Sequence, residues 1–235
     1  MTTKSDKNSF LTGELISKDF PFDGNNYLLI EYPDFIIDEK NKKIRAKGLG
    51  ERFASINSFF MNYLKGYHIP SSFVKNHSKS VLKHISFEKL NFYIKILNVV
   101  DKRAAKIFTK KEYESLNVPI FEYHFDNGKD SLVSESHLIA FDFCCYEDLK
   151  LISRISSKVN AVLKSFFERR NETLAEVKCY FGKHEDKLYV IEDFTPRSIK
   201  TIPIEKNNKT LDPYKITTPN QLRKYTEHLL KLTST

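Results

Sequence analysis

The sequence is poor in the residues that build covalent and metal frameworks, with three cysteines, seven glycines, eight prolines and no tryptophan among 235 residues. An odd number of cysteines, of which Cys144 and Cys145 are adjacent, does not make a disulfide framework. The third, Cys179, completes no C-x-x-C pair, which argues against a zinc site. The low glycine and proline content argues against long low-complexity linkers, and Phe and Tyr must supply much of the packing.

Long apolar runs are also missing. No segment approaches the about 18 consecutive apolar residues of a membrane-spanning helix, and the first residues, MTTKSDKNSF, lack the apolar core of a signal peptide. These absences predict a cytoplasmic, reduced, soluble protein with no membrane partner. The P-loop, Rossmann, H-E-x-x-H and G-x-S-x-G patterns are absent as well, so the common nucleotide-binding and hydrolase signatures are not present.

The charge is one-sided but dispersed. Lysine and arginine number 38 against 30 acidic residues, which gives a formal net charge of +8. The lysines form no long basic block with interleaved aromatics, so a nucleic-acid partner is not indicated. A solvated lysine-rich surface and a phosphate-bearing small ligand both remain open.

The segment from Leu174 to Pro196 predicts a β-hairpin. Apolar and polar side chains alternate through its first run, the period-two pattern of a strand with one buried face. The apolar positions are Ala175, Val177, Cys179 and Phe181, and the polar ones are Glu176, Lys178 and Tyr180. After a polar turn at 182–186, the second run ends in Glu192 and Asp193. Carboxylates beside Lys178 suit Mg²⁺ and nucleotide phosphates, although a solvated hairpin with surface charge pairs fits the same spacing.

The remaining pattern predicts an α+β fold with mainly antiparallel sheets. Strands are predicted at 27–32, 34–37, 72–74, 83–87, 91–99 and 118–125, and helices at 51–66, 104–116, 146–169 and 218–232. The polar segment 130–137 is interpreted as a loop with local turn bonds or as a substrate loop. Because the early chain is richer in strands, we predict an N-terminal β-rich lobe at 1–88 and a C-terminal α+β lobe at 89–235.

Four segments resemble motifs of the SAICAR synthetase family, in the same order. They are RAKGLGERFASINSFFMNYLKGYHIPSSFV, DSLVSESHL, LAEVKCYFG and VIEDFTPRSIK. Their family counterparts are the E-G-K-G block with its following helix and G-I-P-T-H-F, then D-P-x-[IV]-N-E-x-H-[IL], L-V-D-F-K-[LI]-E-F-G and L-x-D-E-[IF]-S-P-D-x-x-R. The resemblance covers about residues 11–232. It implies a two-lobed fold with ATP between the lobes, and the ATP-dependent joining of aspartate to carboxyaminoimidazole ribotide through an acyl phosphate.

The resemblance also implies roles for individual residues, with ATP and Mg²⁺ as cofactors and a homodimer as a possible assembly. Lys178 and Asp193 would be catalytic, and Glu192 and Asp193 would bind Mg²⁺. Lys18, Lys47 and Glu192 would contact ATP. The substrate-binding residues would be Asp130, Glu135, His137, Lys200 and Asp212.

Several positions depart from the family motifs. Glu14 and Leu15 stand where a phosphate-binding lysine is expected, so Lys18 would have to replace it. Tyr180 replaces a glutamate that supports Mg²⁺, and a phenol is a poor ligand for a hard cation. Arg197 replaces an aspartate. Lys200 replaces a substrate-binding arginine, which loses bidentate recognition.

The family's R-N-x-A-x-G-S stretch, which holds the substrate phosphate, corresponds to LNVVDKR. Asn98 and Val99 match it, and Lys102 or Arg103 would replace the missing groups. These departures leave three hypotheses: an active ligase of this family, a pseudoenzyme that binds a nucleotide or a protein, and a basic nucleic-acid-binding module.

Overall fold

The computed structural model describes residues 16–22, 25–37, 43–126, 131–191, 193–204 and 211–234. The strands are β1 (Ile16–Phe22), β2 (Asn25–Glu31), β3 (Phe35–Ile37), β4 (Lys43–Arg45), β5 (Phe73–Asn76), β6 (Val81–Ile85), β7 (Glu88–Val99), β8 (Ser115–Phe125), β9 (Ser131–Val133), β10 (Glu172–His184), β11 (Lys187–Ile191) and β12 (Ile199–Pro203). The helices are α1 (Leu49–Gly66), α2 (Lys102–Phe108), α3 (Glu135–Ala140), α4 (Tyr146–Glu168) and α5 (Pro219–Thr233).

The strands form two main sheets, and every strand pair in them is antiparallel. The first sheet has the order β1-β2-β6-β5. The second has the order β11-β10-β7-β8-β9, and β12 also pairs with β10. The predicted α+β class with mainly antiparallel sheets is therefore confirmed. Along the chain, β6 is the last strand of the first sheet and β7 is the first strand of the second. We therefore keep 1–88 and 89–235 as the proposed lobes.

The predicted hairpin is formed by β10 and β11. Its turn is shorter than predicted, because His184 still pairs with Lys187 and only Glu185 and Asp186 lie between them. Both turn residues have positive φ, 46° and 60°, the backbone that two-residue hairpin turns require to match the strand twist. The four apolar positions of β10 are all fully buried, as the alternation predicted.

Helix α4 covers the apolar face of β10. Its buried stripe includes Leu149, Ile152, Val159, Leu163 and Phe166, which recur at helical spacing and so lie on one side. The same core cluster continues through α1 and both main sheets. Burial of this continuous apolar surface holds α4 against one face of the second sheet. The polar groups of the sheet lie on its other face.

Two local predictions were wrong. The helix predicted at 104–116 ends at Phe108, because Thr109 adopts the left-handed conformation (φ 53°) and the chain turns back into β8. The segment predicted as a loop at 130–137 contains β9 and the start of α3 in its described part. Ser134 and His137 form a capping box at the start of α3, so these polar side chains begin a helix rather than a loop.

None of the described helices is long and apolar enough to cross a membrane. The three cysteines are all free, with Cys144 and Cys179 buried and Cys145 exposed.

Candidate functional site

The polar face of β10 continues onto its neighbouring strands. Lys178 stands opposite Lys95 on β7, and Lys95 stands opposite Glu122 on β8. On the other edge of β10, Glu176 stands opposite Lys200 on β12. Because directly opposed residues of an antiparallel pair share a face, the sheet register brings charges from four strands together.

Glu176 is the buried centre of this face, with a residue exposure of 2%. Lys200 Nζ lies 3.1 Å from Glu176 Oε1. Burial alone would raise the pKa of Glu176, but the positive charges of Lys200, Lys95 and Lys178 hold that pKa below its ordinary value. The interpretation of the hairpin as a solvated surface with exposed charge pairs is therefore wrong at Glu176.

A second buried carboxylate, Glu122, extends the network. Lys95 Nζ lies 3.3 Å from Glu122 Oε2 and 3.6 Å from Asp101 Oδ2, and Arg103 also forms an ion pair with Glu122. Burial would lower the pKa of Lys95, but the carboxylates of Glu176, Glu122 and Asp101 raise it above its ordinary value. The shifts of the two pKa values, upward for Lys95 and downward for Glu122, favour the charged form of each residue.

We call these residues the charge cluster. It comprises four cations, Lys95, Arg103, Lys178 and Lys200, and three carboxylates, Asp101, Glu122 and Glu176. Its fixed lysine and arginine side chains suit an anionic ligand.

Aromatic rings lie beside the charge cluster. The His124 and Tyr93 rings are stacked with centroids 5.3 Å apart, and the Tyr93 and Tyr180 centroids lie 5.0 Å apart. Lys178 Nζ lies 5.0 Å from the centroid of Tyr93, and Lys89 Nζ lies 5.0 Å from that of Tyr180. Tyr180 thus packs in a row of rings with cations over their faces.

The segment 193–198 connects β11 to β12 beside Lys178, whose backbone N–H donates to the carbonyl of Ser198 at 2.9 Å. Asp193 is buried, and Arg197 Nε lies 2.7 Å from its Oδ2. Helix α1 fixes the same segment, because Asn57 Oδ1 accepts a hydrogen bond from the Phe194 N–H at 2.8 Å. The structure therefore places Lys178, Asp193 and Lys200 on connected segments of one region.

Asp212 reaches this region from the segment before α5. Its Oδ2 accepts a hydrogen bond from Tyr113 OH at 3.0 Å and lies 2.9 Å from Lys215 Nζ. The Tyr214 and Tyr113 rings are tilted with centroids 5.7 Å apart, and Lys200 Nζ lies 4.3 Å from the centroid of Tyr214. Asp212 is therefore linked to Lys200 through Tyr214, although its own oxygens are already engaged within the protein.

Glu135 and His137 lie at the other end of the sheet. Glu135 Oε1 accepts a hydrogen bond from Tyr123 OH at 2.7 Å, and that hydroxyl also lies 2.8 Å from Ser153 of α4. Glu135 is thus held toward the α4 face, apart from the charge cluster. His137 Nδ1 accepts the Ser134 N–H at 3.1 Å, so both side chains have structural partners that the sequence prediction did not anticipate.

Lys47 and Lys18 were also predicted to contact phosphates. Lys47 is exposed and directly precedes Gly48, the left-handed N-cap of α1. Lys18 lies on β1, opposite Leu29. Four named positions, Glu14, Leu15, Asp130 and Glu192, lie outside the described residues.

The stretch 97–103, predicted to hold a substrate phosphate, contributes only Arg103 and Asp101 to the charge cluster. Asn98 is buried, and its amide exchanges two hydrogen bonds with that of Asn160, at 2.8 and 3.0 Å. It is therefore occupied in joining β7 to α4. Arg103 belongs to the charge cluster, whereas Lys102 is exposed at the start of α2.

The sequence prediction missed Lys95 and Glu122. The sequence did contain a sign of both residues. Each is a single charge inside a run rich in β-forming residues, NFYIKILN for Lys95 and VPIFEYHF for Glu122. A charge at such a position is buried only if a neighbouring strand supplies its partner. The pairing register was needed to show that each supplies the other.

Magnesium was predicted at Glu192 and Asp193, and the described donors do not fit it. Hard divalent cations require several oxygen ligands, yet Tyr180 stands at the predicted glutamate position and Arg197 already pairs with Asp193. Among the described residues, no group of three His, Cys, Asp or Glu side chains is placed to hold a metal ion.

A cavity of about 490 Å³ lies elsewhere, beside the N-terminus of α1. Its lining includes Gly48, Arg52, Asn76, Lys79 and Leu230. None of its lining residues belongs to the charge cluster, and the two candidate regions are therefore separate.

Comparison with known proteins shows the family of the chain. The family model for SAICAR synthetase matches residues 20–227. The phosphoribosylaminoimidazole-succinocarboxamide synthase of Sulfolobus acidocaldarius is 25% identical over 195 residues, covering 82% of this chain and 83% of that protein. The corresponding synthase of Ehrlichia chaffeensis is 27% identical over 213 residues, covering 86% of each.

Solved structures show the same fold. The Ehrlichia chaffeensis crystal structure has a TM-score of 0.80 at 24% identity and covers 95% of this chain and 98% of that one. A SAICAR synthetase in complex with ADP has a TM-score of 0.81 at 22% identity, covering 94% and 98%.

Proposed function

The chain belongs to the SAICAR synthetase family, and on that premise we propose that it is an ATP-dependent ligase of purine biosynthesis. In this proposal it joins aspartate to carboxyaminoimidazole ribotide, with ADP and phosphate as the other products. The observation that carries the proposal is the charge cluster, because it is built around Glu176 and Lys178 of β10, the strand that the resemblance assigns to catalysis. A structural relative with bound ADP supports a nucleotide as one ligand.

The chemistry has two steps. A carboxylate oxygen of the ribotide attacks the γ-phosphorus of ATP, and ADP leaves as the acyl phosphate forms. The amine of aspartate then attacks the acyl carbon, loses a proton and expels inorganic phosphate. Both steps develop negative charge on phosphoryl oxygens, which fixed cations stabilise in a site that excludes water.

We assign Lys178 to these oxygens, because it lies on β10 beside the buried carboxylate of Glu176. Lys200 would hold the substrate, and Lys18 and Lys47 would contact the ATP phosphates. Asp193 would position Arg197 next to this site. Glu192, Asp130, Glu135, His137 and Asp212 remain proposed ligands from the motif alignment, and no step is assigned to Mg²⁺.

The pseudoenzyme hypothesis makes a different prediction. An assay that couples ADP release to NADH oxidation, with ATP, aspartate and the ribotide, distinguishes the two. We expect ADP release that stops when either aspartate or the ribotide is omitted. Binding of ATP without aspartate-dependent ADP release would contradict the ligase and favour the pseudoenzyme.

We also propose that the enzyme is a cytoplasmic homodimer. Exposed apolar side chains at the junction of α3 and α4, Phe141 at 66% and Tyr146 at 53%, support an interface there. Light scattering during size-exclusion chromatography tests this. A dimer that Phe141→Ser converts to a monomer is expected, and a wild-type monomer would contradict it.

A further inference from the structure

Arg197 and Asp193 form a buried ion pair at the edge of the candidate site. Arg197 Nε lies 2.7 Å from Asp193 Oδ2, and the two side chains are 13% and 7% exposed. The other oxygen, Asp193 Oδ1, is buried and has no hydrogen-bond partner among the described residues. Within the described part of the chain, the carboxylate therefore has one oxygen held by a cation and one without a donor.

The guanidinium is fixed by its surroundings. It lies 5.5 Å from the centroid of the Phe53 ring on α1, and arginine stacks on aromatic faces more readily than a hydrated ammonium does. The segment turns sharply at Thr195, whose carbonyl accepts the N–H groups of Ser198 and Ile199, both at 2.9 Å. Arg197 therefore lies in a hydrogen-bonded turn, and its guanidinium packs against Phe53 of α1.

A divalent cation at Asp193 would have to displace this guanidinium. Removing one partner of a buried pair leaves an uncompensated charge, which is strongly unfavourable. On β10, Tyr180 stands opposite Ile191, two residues before Asp193, and offers a phenol that packs against Tyr93 and lies under Lys89. Two separate substitutions therefore place protein cations and rings where a metal would need carboxylate oxygens.

We infer that Arg197 takes the place of a divalent cation at Asp193, so that this site meets nucleotide phosphates with its own side chains and without Mg²⁺. Lys178 and Lys89 add positive charge to the same strand face, each beside a tyrosine ring. This inference rests on the proposed function for the identity of the ligand. The exclusion of the metal itself rests only on the geometry around Asp193.

The first experiment measures the metal alone. Mn²⁺, a paramagnetic substitute for Mg²⁺, is titrated into the full chain and its free fraction is followed by electron paramagnetic resonance. We expect no stoichiometric binding to the wild type. Arg197→Asp, which returns a carboxylate to the position, should tighten Mn²⁺ binding about tenfold or more. Stoichiometric Mn²⁺ binding by the wild type that Asp193→Asn abolishes would overturn the inference.

Matched variants keep this test interpretable. Arg154→Asp makes the same charge change on an exposed position of α4 and should leave Mn²⁺ binding unchanged. Arg197→Gln releases Asp193 without adding a like charge, and it replaces Arg197→Asp if circular dichroism shows that variant to be unfolded. An equal gain in Arg154→Asp would show a non-specific charge effect and would also overturn the inference.

The second experiment measures ADP by calorimetry in Mg²⁺ and in EDTA. For the wild type we expect dissociation constants that agree within about twofold, and for Arg197→Asp a constant about tenfold lower in Mg²⁺. A wild type that binds ADP about tenfold more tightly with Mg²⁺ would overturn the inference. A wild type that binds no ADP in either buffer would contradict the proposed function, and the Mn²⁺ titration would still decide whether Asp193 excludes a metal.

Discussion

Lys200 Nζ lies 3.1 Å from Glu176 Oε1, and the two residues stand opposite each other on β12 and β10. Glu176 also lowers the electrostatic cost of holding Lys95 and Lys178 nearby, since both act on its pKa. The buried carboxylate is therefore the group that allows several lysines to share one face of the sheet. The proposed phosphate chemistry requires such fixed lysines.

Replacing Glu176 with glutamine should destabilise the protein. The substitution keeps the side-chain shape but leaves buried lysines without their shared counter-charge, so we expect a loss of about 3–5 kcal/mol in the free energy of unfolding. Urea denaturation measures it.

Glu51→Gln is the control for this change. The Glu51–Lys79 pair has side chains 56% and 84% exposed, and its loss should change stability by no more than about 0.5 kcal/mol. Equal effects of the two substitutions would show that Glu176 does not support the cluster.

Lys178→Met should remove activity while preserving the fold. The methionine retains most of the packing over Tyr93 but not the charge, so we expect kcat to fall about 100-fold or more. Steady-state ADP release measures this, and urea denaturation confirms the fold. Lys158→Met changes an exposed lysine of α4 and should leave kcat unchanged. A Lys178→Met enzyme with wild-type kcat would remove this lysine from the chemistry.

His84 should make the folded protein sensitive to mild acid. Burial, together with the nearby charge of Lys65, lowers the pKa of His84 from 6.5 to about 3. Between these values the unfolded chain binds a proton that the folded chain excludes. Stability therefore falls as the pH drops from 6.5 toward 3, by up to about 1.4 kcal/mol per pH unit.

Urea denaturation at about pH 7 and pH 5 compares the wild type with His84→Asn. The variant loses the bond between the imidazole and Ser72 Oγ, and it should show a smaller loss of stability on acidification. His77→Gln, which removes an exposed imidazole, is the control. A pH dependence that His84→Asn leaves unchanged would contradict this assignment.

The sequence predicted those features that depend on local pattern. Alternation along β10 identified its buried and polar faces, because side-chain direction in a strand has a period of two. Helix α4 was equally clear from its apolar stripe. The capping role of Ser134 was missed, because α3 is too short to show a helical period.

The site was harder to predict, since its electrostatics come from residues far apart in sequence. The burial of Glu176 depends on Lys200 and Lys95, which only the strand register brings beside it. The pairing of Arg197 with Asp193 depends on the turn at Thr195. The family resemblance marked Tyr180 and Arg197 as departures, but their physical consequence needed the structure.

Transfer of oxygen from substrate to phosphate tests the central claim most directly. The ribotide is prepared with ¹⁸O in its carboxylate, and the phosphate formed with ATP and aspartate is analysed by mass spectrometry. A ligase that acts through an acyl phosphate predicts one ¹⁸O in each phosphate released, together with the aspartate adduct. Phosphate without ¹⁸O, or no aspartate adduct from a folded enzyme that binds ATP, would contradict the account.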